Sequence, residues 1–302
     1  MSAPPGRIRT GIGGWVFPAW RGGMFYPPGL PQRDELAHAS RALGCIEINS
    51  TFYRAQKPAV YAQWREQTPA GFRFSAKAPR TITQTHDLGT VGARVDAFVE
   101  GIAALGDRLG PLVWQFGDSH PADAEAFDAF LQRLPREAGG VRLQHALEVR
   151  NPAAWTPALI ATARAHGTAL VYSGSADYPS FADPTADFIY ARLMHARGNL
   201  RAGYPERALE QWCLRAMRWA RGEDNPDLPH VVADAPPAVS RDVYVVFIGA
   251  AKQRNPGAAM ALRDQLRRGG PPPLGWARRA RIRPTSPSPA TNTPASHPPA
   301  CP

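Results

Sequence analysis

Eight short apolar runs recur along this chain, each followed by a stretch with helical spacing. That alternation restricts the fold more than any other feature. The runs are 8–12, 45–48, 72–76, 112–116, 143–149, 169–172, 188–193 and 243–248. Between them, Val91, Val95, Phe98, Val99, Ile102 and Leu105 share one face at a 3.6-residue period. Phe127, Phe130, Leu131 and Leu134 do the same, as do Leu209, Trp212, Ala216 and Trp219. Shorter helices fit 33–43, 58–65, 155–166 and 257–267. Strands and helices in alternation call for parallel strands joined by crossover helices. About 250 residues suffice to close that pattern into a (β/α)8 barrel, and the chain before residue 269 has about that length. The expected fold class is therefore α/β, a TIM-type barrel. An open doubly wound sheet is the alternative. Against it, no strand leads into the glycine fingerprint of a dinucleotide fold, because Gly11, Gly13 and Gly14 run into Phe17 and Pro18 rather than a helix.

Residues 269–302 are rich in proline, serine, threonine and alanine. They carry too little apolar surface to offset the entropy of ordering. The chain thus reads as one barrel domain, 1–268, and a disordered basic tail, 269–302. Net charge is +10. The tail holds Arg278, Arg279, Arg281 and Arg283 and no acid, which leaves +6 on the rest. A basic body fits anionic partners, either phosphate esters or nucleic acid, or else a bias in composition that aids solubility. No run approaches the roughly 18 apolar residues of a membrane helix, and the first residues, MSAPPGRIR, lack a signal-peptide core. Cys45, Cys213 and Cys301 are too scattered for a disulfide framework or a zinc site. A cytoplasmic protein with no membrane partner is expected; the oligomeric state stays open.

The strands keep ending in charged and amide side chains: CIEIN, FSAK, LVWQF, ALEVR and IYAR. A polar group at the end of a buried strand is costly unless it is partnered. In a barrel these ends share one mouth, where catalytic groups sit. Side chains alternate along a strand, so Glu47 shares a face with Asn49, Glu148 with Arg150, and Tyr190 with Arg192. The inward candidates are Glu47, Asn49, Lys77, Gln115, Glu148, Arg150 and Arg192. Strands two and three are neighbours, so Glu47 and Lys77 are expected to pair. Each residue taken singly is as well explained as a structural ion pair; the set is harder to explain that way, given its desolvation cost.

The loops add further candidates. Trp15, Phe17, Trp20, Phe25 and Tyr26 crowd the long loop after the first strand, either to stack on a ligand or to form a satellite core. Tyr53 follows the second strand as a donor or an aromatic plug. Arg80, Thr81 and Thr83 after the third make an anion cradle with Lys77. His86 and His195 are acid–base candidates, Asp177 a third carboxylate, and Lys252 and Arg254 a phosphate site after the eighth strand. No G-x-S-x-G elbow, P-loop or H-E-x-x-H is present, so no motif implies a cofactor, and no metal site is assigned.

The strings GIGGWVFPAWRGGMFYP, EINSTFY, TPAGFRFSAKAPRTIT, LGPLVWQF, HALEVRNPAAW, DFIYARLM and RDVYVVFIGAAKQRNPGAAMAL, in that order, resemble the family called domain of unknown function 72, the YecE-like proteins. The resemblance covers about residues 8 to 267. It implies a TIM-type barrel and no established activity. It marks Gly14, Trp15, Glu47, Asn49, Thr51, Phe52, Tyr53, Lys77, Thr83, Gln115, Glu148, Arg150 and Arg192. The chain departs from the family pattern where Gln84 follows Thr83 in place of histidine, and where Arg192 leads into Leu193, Met194 and His195 rather than R-x-H-G.

The leading functional expectation is an enzyme acting on an anionic or polyhydroxyl small molecule such as a sugar phosphate. Glu47, Glu148 and Lys77 would be its catalytic groups. Trp15, Asn49, Tyr53, Arg80, Gln115, Arg150, Arg192 and His195 would contact the substrate. A nuclease or nucleic-acid binder, a glycosidase using Glu47 and Glu148, and a non-catalytic scaffold are the alternatives.

Overall fold

In a computed structural model, which describes residues 4–121, 123–234 and 237–270, the apolar runs form one parallel ladder. Its strands are β1 (Ile8–Gly13), β2 (Cys45–Ile48), β3 (Arg73–Lys77), β4 (Leu109–Phe116), β7 (His145–Val149), β8 (Ala169–Leu170), β9 (Tyr172–Gly174), β10 (Phe188–Leu193) and β11 (Asp242–Phe247). A small antiparallel hairpin, β5 (Glu137–Ala138) with β6 (Val141–Arg142), stands apart from it. The ladder runs β8-β7-β4-β3-β2-β1-β11-β10-β9. Its two ends are neighbours in sequence, separated only by Val171, whose N–H donates to the Leu147 carbonyl at 2.9 Å. The segment 169–174 therefore pairs with β7 through its first half and with β10 through its second. Eight strand positions complete a ring, as the alternation requires.

The helices follow the apolar spacing: α1 (Glu35–Ala42), α2 (Pro58–Glu66), α3 (Arg80–Thr83), α4 (Gly92–Ile102), α5 (Ala124–Arg133), α6 (Pro157–His166), α7 (Glu206–Ala220) and α8 (Asn255–Arg267). Local chemistry sets several of their ends. The Asp123 carboxylate accepts the Ala126 N–H at the start of α5. Thr156 caps α6 ahead of Pro157, and Gly167 closes that helix with φ 61°. Within β4, Pro111 cannot donate to the ladder. The β3–β4 register slips there, two residues on β3 spanning three on β4. The tail expected over 269–302 lies outside the described residues from 271 onward.

Alternation along the strands separates two cores. Outside the ring, Trp114 of β4 packs edge-on against Phe98 of α4 at 6.0 Å and Phe130 of α5 at 5.4 Å. Inside it, Cys45, Val113, Ala146, Ala169, Val171, Phe188, Tyr190, Tyr244, Val246 and Ile248 form a second cluster. The interior is narrow. A Cβ on Gly11 would come within 2.2 Å of the Cys45 carbonyl oxygen, so β1 contributes no bulk at that level. The lower end is polar: Arg9 Nη1 pairs with Asp242 at 2.8 Å, and the Tyr244 hydroxyl lies 3.2 Å from Gln144 Oε1.

One histidine is locked into the outer core. The Trp114 indole N–H donates to His145 Nδ1 at 3.1 Å, so the ring proton sits on Nε2, which donates to the Pro135 carbonyl at 2.8 Å. Burial pushes its pKa down to about 4, with partial relief from the Pro135 bond. An imidazole in the unfolded chain titrates near ~6.5. Below that value the unfolded chain binds more protons than the folded one, so the stability tied to neutral His145 is complete above about pH 6.5 and is lost as pH falls toward 4. Urea titrations across that window should show stability falling by up to roughly 3 kcal/mol from this ring. The slope should flatten in His145→Gln; equal slopes in the two proteins would refute the assignment.

Candidate functional site

Because all the barrel strands are parallel, the polar strand ends emerge on one rim. Glu47 from β2, Glu148 from β7 and Arg192 from β10 meet inside the ring, although none of these strands is hydrogen-bonded to another of the three. Arg192 Nη2 donates to Glu47 Oε1 at 3.0 Å, and Arg192 Nη1 donates to Glu148 Oε2. Both carboxylates are 0% exposed and Arg192 is 4% exposed. Two further groups complete the network. The Tyr190 hydroxyl donates to Glu47 Oε2 at 2.8 Å and contacts Ser75 Oγ at 2.6 Å. Arg150 Nε donates to Glu148 Oε1 at 2.9 Å, while its guanidinium stacks 3.9 Å over the Tyr178 ring. Charges this deep persist only when paired and hydrogen-bonded.

The pairing sets the protonation states. Burial pushes the Glu148 carboxyl up, but Arg192 and Arg150 more than reverse it, and the Gln115 amide opposite in the ladder helps, so the group titrates below its ordinary value. Burial pulls Arg192 down, yet Glu148 and Glu47 outweigh it and hold the guanidinium charged. Burial lifts the Tyr190 hydroxyl far above its ordinary value, and the Glu47 carboxylate lifts it further. Lys77 differs from all of these. Burial and then the neighbouring Arg192 lower its pKa to about 8, with Glu148 and Glu47 only partly offsetting them.

The expected Glu47–Lys77 pair does not form, because Arg192 and Tyr190 occupy both oxygens of Glu47. Among the described residues Lys77 has no carboxylate within ion-pair distance. Its Nζ lies 3.8 Å over the Phe52 ring. Thr51 Oγ1 bonds the Lys77 carbonyl at 2.7 Å and so ties the loop after β2 to the end of β3. Lys77, Phe52, Thr83, Gln115 and Arg150 border a cavity of about 480 Å³ at the mouth, completed by Gln84, His86, His120 and the turn 117–119. Thr83 is fully buried, and its hydroxyl has no hydrogen-bond partner. Gln115 Nε2 likewise makes no hydrogen bond of good geometry. Cavities of about 520 and 730 Å³ lie outside the ring against α8 and hold none of the strand-end groups.

The other sequence candidates are dispersed. Asn49 stands at the end of β2, its Nδ2 2.8 Å from where a Cβ on Gly13 would lie. Trp15 turns outward onto Trp64 at 4.8 Å and Phe74 at 6.1 Å. Tyr53 is 72% exposed, with the Arg80 guanidinium 5.8 Å over its ring; the two sit together on the rim. The His195 side chain is exposed, and the residue is anchored through its N–H to the Tyr204 hydroxyl. Asp177 is exposed and joins no carboxylate pair. Lys252 packs over Phe17 and Trp20, and Arg254 donates to the Gly198 carbonyl. Trp20, Phe25 and Tyr26 form the satellite core that holds the first loop down. Ser75 and His120 belong to the site without having been named from the sequence, and Tyr190, placed on the Arg192 face, was not among the inward candidates. The two-residue alternation with Arg192 and Lys77 marks Tyr190 and Ser75; His120 follows a turn and carries no such signal. Among the described residues no three of His, Cys, Asp and Glu gather closely enough to hold a metal ion, and no helix is long and apolar enough to cross a membrane.

Removing Arg192 as Arg192→Met should destabilise the protein by about 3–5 kcal/mol, the cost of leaving a buried charge unpaired. In wild type the lowered Glu148 pKa contributes stability above the unfolded carboxyl value of ~4.3, lost as pH falls below it. In the variant, burial dominates Glu148 instead, so the deficit should be largest near neutral pH and shrink on acidification. Denaturation midpoints at several pH values between neutral and acid test the sign; a deficit independent of pH would contradict it.

Known proteins match this chain over most of its length. The family described as "Protein of unknown function DUF72" matches residues 9–278. The UPF0759 protein YecE of Escherichia coli K12 is 32% identical over 146 residues, 48% of this chain and 49% of that protein. The chain thus spans about half the length of the curated relatives it matches. A DUF72 family protein from Thermotoga maritima has a TM-score of 0.67 at 21% identity, covering 86% of this chain and 99% of that one. Another, from Enterococcus faecalis V583, has a TM-score of 0.65 at 16% identity, covering 86% and 95%. At these identities the two structures speak for the barrel fold alone.

Proposed function

The chain belongs to the DUF72 family, and from that premise we propose that it is an enzyme whose barrel mouth binds an anionic small molecule, of the sugar-phosphate or polyhydroxy-acid kind, at Lys77 and Arg150. One observation carries the reading: the amine of Lys77 is half-buried beside the cavity with no carboxylate partner among the described residues. Glu47 and Glu148 lie behind the cavity, tied to Arg192 and Arg150. Lys77, Arg150, Gln115 and Thr83 border the space on the strand side, and the exposed Asp118, whose Oδ1 accepts the Ser119 N–H, borders it on the turn after β4. An anion entering there meets an amine, a guanidinium, an amide and a buried hydroxyl, which together suit carboxylate or phosphate oxygens.

Glu47 and Glu148 take a different role from the one the sequence suggested. Both are tied to Arg192, and the lowered pKa of Glu148 disfavours a general acid. They orient the cations, and the glycosidase alternative loses its acid. For nucleic acid, the basic composition is the supporting observation, and strongly salt-dependent DNA binding would mark that alternative.

Thermal shift against inorganic phosphate at constant ionic strength tests the reading. Wild type should be stabilised progressively with phosphate concentration, and Lys77→Met and Arg150→Met should each lose most of that shift while staying folded by circular dichroism. Equal shifts in all three proteins would overturn it.

A further inference from the structure

We propose that Lys77 is a covalent nucleophile, and that the mouth of the barrel takes carbonyl compounds that also carry an anionic group, holding them as an imine on the Lys77 amine. The inference rests on the proposed anion pocket for the orientation of the substrate, and on three independent observations for the chemistry.

The first is the placement of the amine. It ends β3 at the mouth of the ring, is half-buried, faces the cavity and packs over the Phe52 ring with no carboxylate in reach among the described residues. An amine kept out of an ion pair is available to react. The second is the choice of residue. Of the 35 lysines and arginines in the chain only three are lysines: Lys57, Lys77 and Lys252. Arginine is otherwise used throughout, including at Arg150 and Arg192 in the same mouth. Arginine is the better holder of a planar anion, and it stays charged at any accessible pH. A lysine kept at the cavity supplies what arginine lacks, a nitrogen that can lose its proton and attack carbon. The third is the neighbouring polar groups. The Thr83 hydroxyl is buried, unpartnered and on the same cavity, and the Gln115 amide, which leans on Glu148, borders it as well. The hydroxyl is free to bond the oxygen that departs as the imine forms.

The step balances without an oxidant or reductant. The neutral amine forms a C–N bond to the carbonyl carbon, and the C=O electrons move to oxygen. Both amine hydrogens pass to that oxygen, which leaves as water, and the imine gains one proton from solvent to become an iminium ion. Arg150 is placed to hold the anionic group of the same molecule. A pKa near 8 leaves an appreciable neutral fraction of Lys77 at neutral pH, where an ordinary lysine has almost none.

The full chain, incubated with pyruvate and then sodium borohydride, should gain one reduced pyruvate by intact mass. Peptide mapping should place it on Lys77, with Lys57 and Lys252 as internal controls for surface modification. Lys77→Arg, folded by circular dichroism, should show no adduct. No adduct, or adducts spread evenly over the three lysines, would overturn the imine. Phosphate stabilisation without an adduct on wild type would leave the anion pocket standing and remove the nucleophile; an adduct on Lys77 without phosphate stabilisation would do the reverse.

Discussion

Arg192 is the interaction around which the mouth of this barrel is organised. A guanidinium at the centre of a ring of parallel strands has few ways to be tolerated: it must be paired, and its partners must come from elsewhere around the ring. Here they are Glu47 and Glu148, on β2 and β7. The three-way contact links strands that share no hydrogen bonds with one another. It fixes the depth of both carboxylates and leaves Tyr190, itself bonded to Ser75, and Arg150 to satisfy the oxygens that remain.

The chemical result is a division of labour inside one polar cluster. Glu47 and Glu148 are taken up by internal pairing and face inward, while Lys77 and Arg150 face the cavity. Burial first and Arg192 next destabilise Lys77 as a cation, and Glu148 and Glu47 offset them only in part. Perturbed groups of this kind gather at working sites, and structural ion-pair networks shift pKa values as well. The outer core has its own perturbed group, His145, which is displaced chiefly by burial and serves packing. The two differ in where they sit, one at an open mouth and the other behind the strands.

The strand positions were legible because period-two and period-3.6 patterns reflect which side of an element meets the core. The runs 45–48 and 188–193 are the observed strands β2 and β10 residue for residue. The run 169–172 was read as one strand, and the ring shows why it breaks at Val171: its two halves serve different neighbours. Five polar strand ends, CIEIN, FSAK, LVWQF, ALEVR and IYAR, marked the rim where the buried charges gather. The assignment of partners was not legible. Adjacency in the strand order suggested Glu47 with Lys77, but a long guanidinium from across the ring reaches Glu47 first and offers two donors. Loop residues fared worse. Trp15 and His195 sit next to strand ends in sequence yet turn away from the cavity, because a loop has no periodicity to fix its direction.

The sequence by itself determined the parallel barrel, the rim that carries the polar groups and the family to which the chain belongs. Each depends on patterns that repeat locally or on strings kept in order. Only the tertiary structure decided which charges neutralise each other and which amine is left facing the cavity. Electrostatic pairing depends on distance through space across the ring, and residues 145 positions apart along the chain, Glu47 and Arg192, stand within a hydrogen bond of each other.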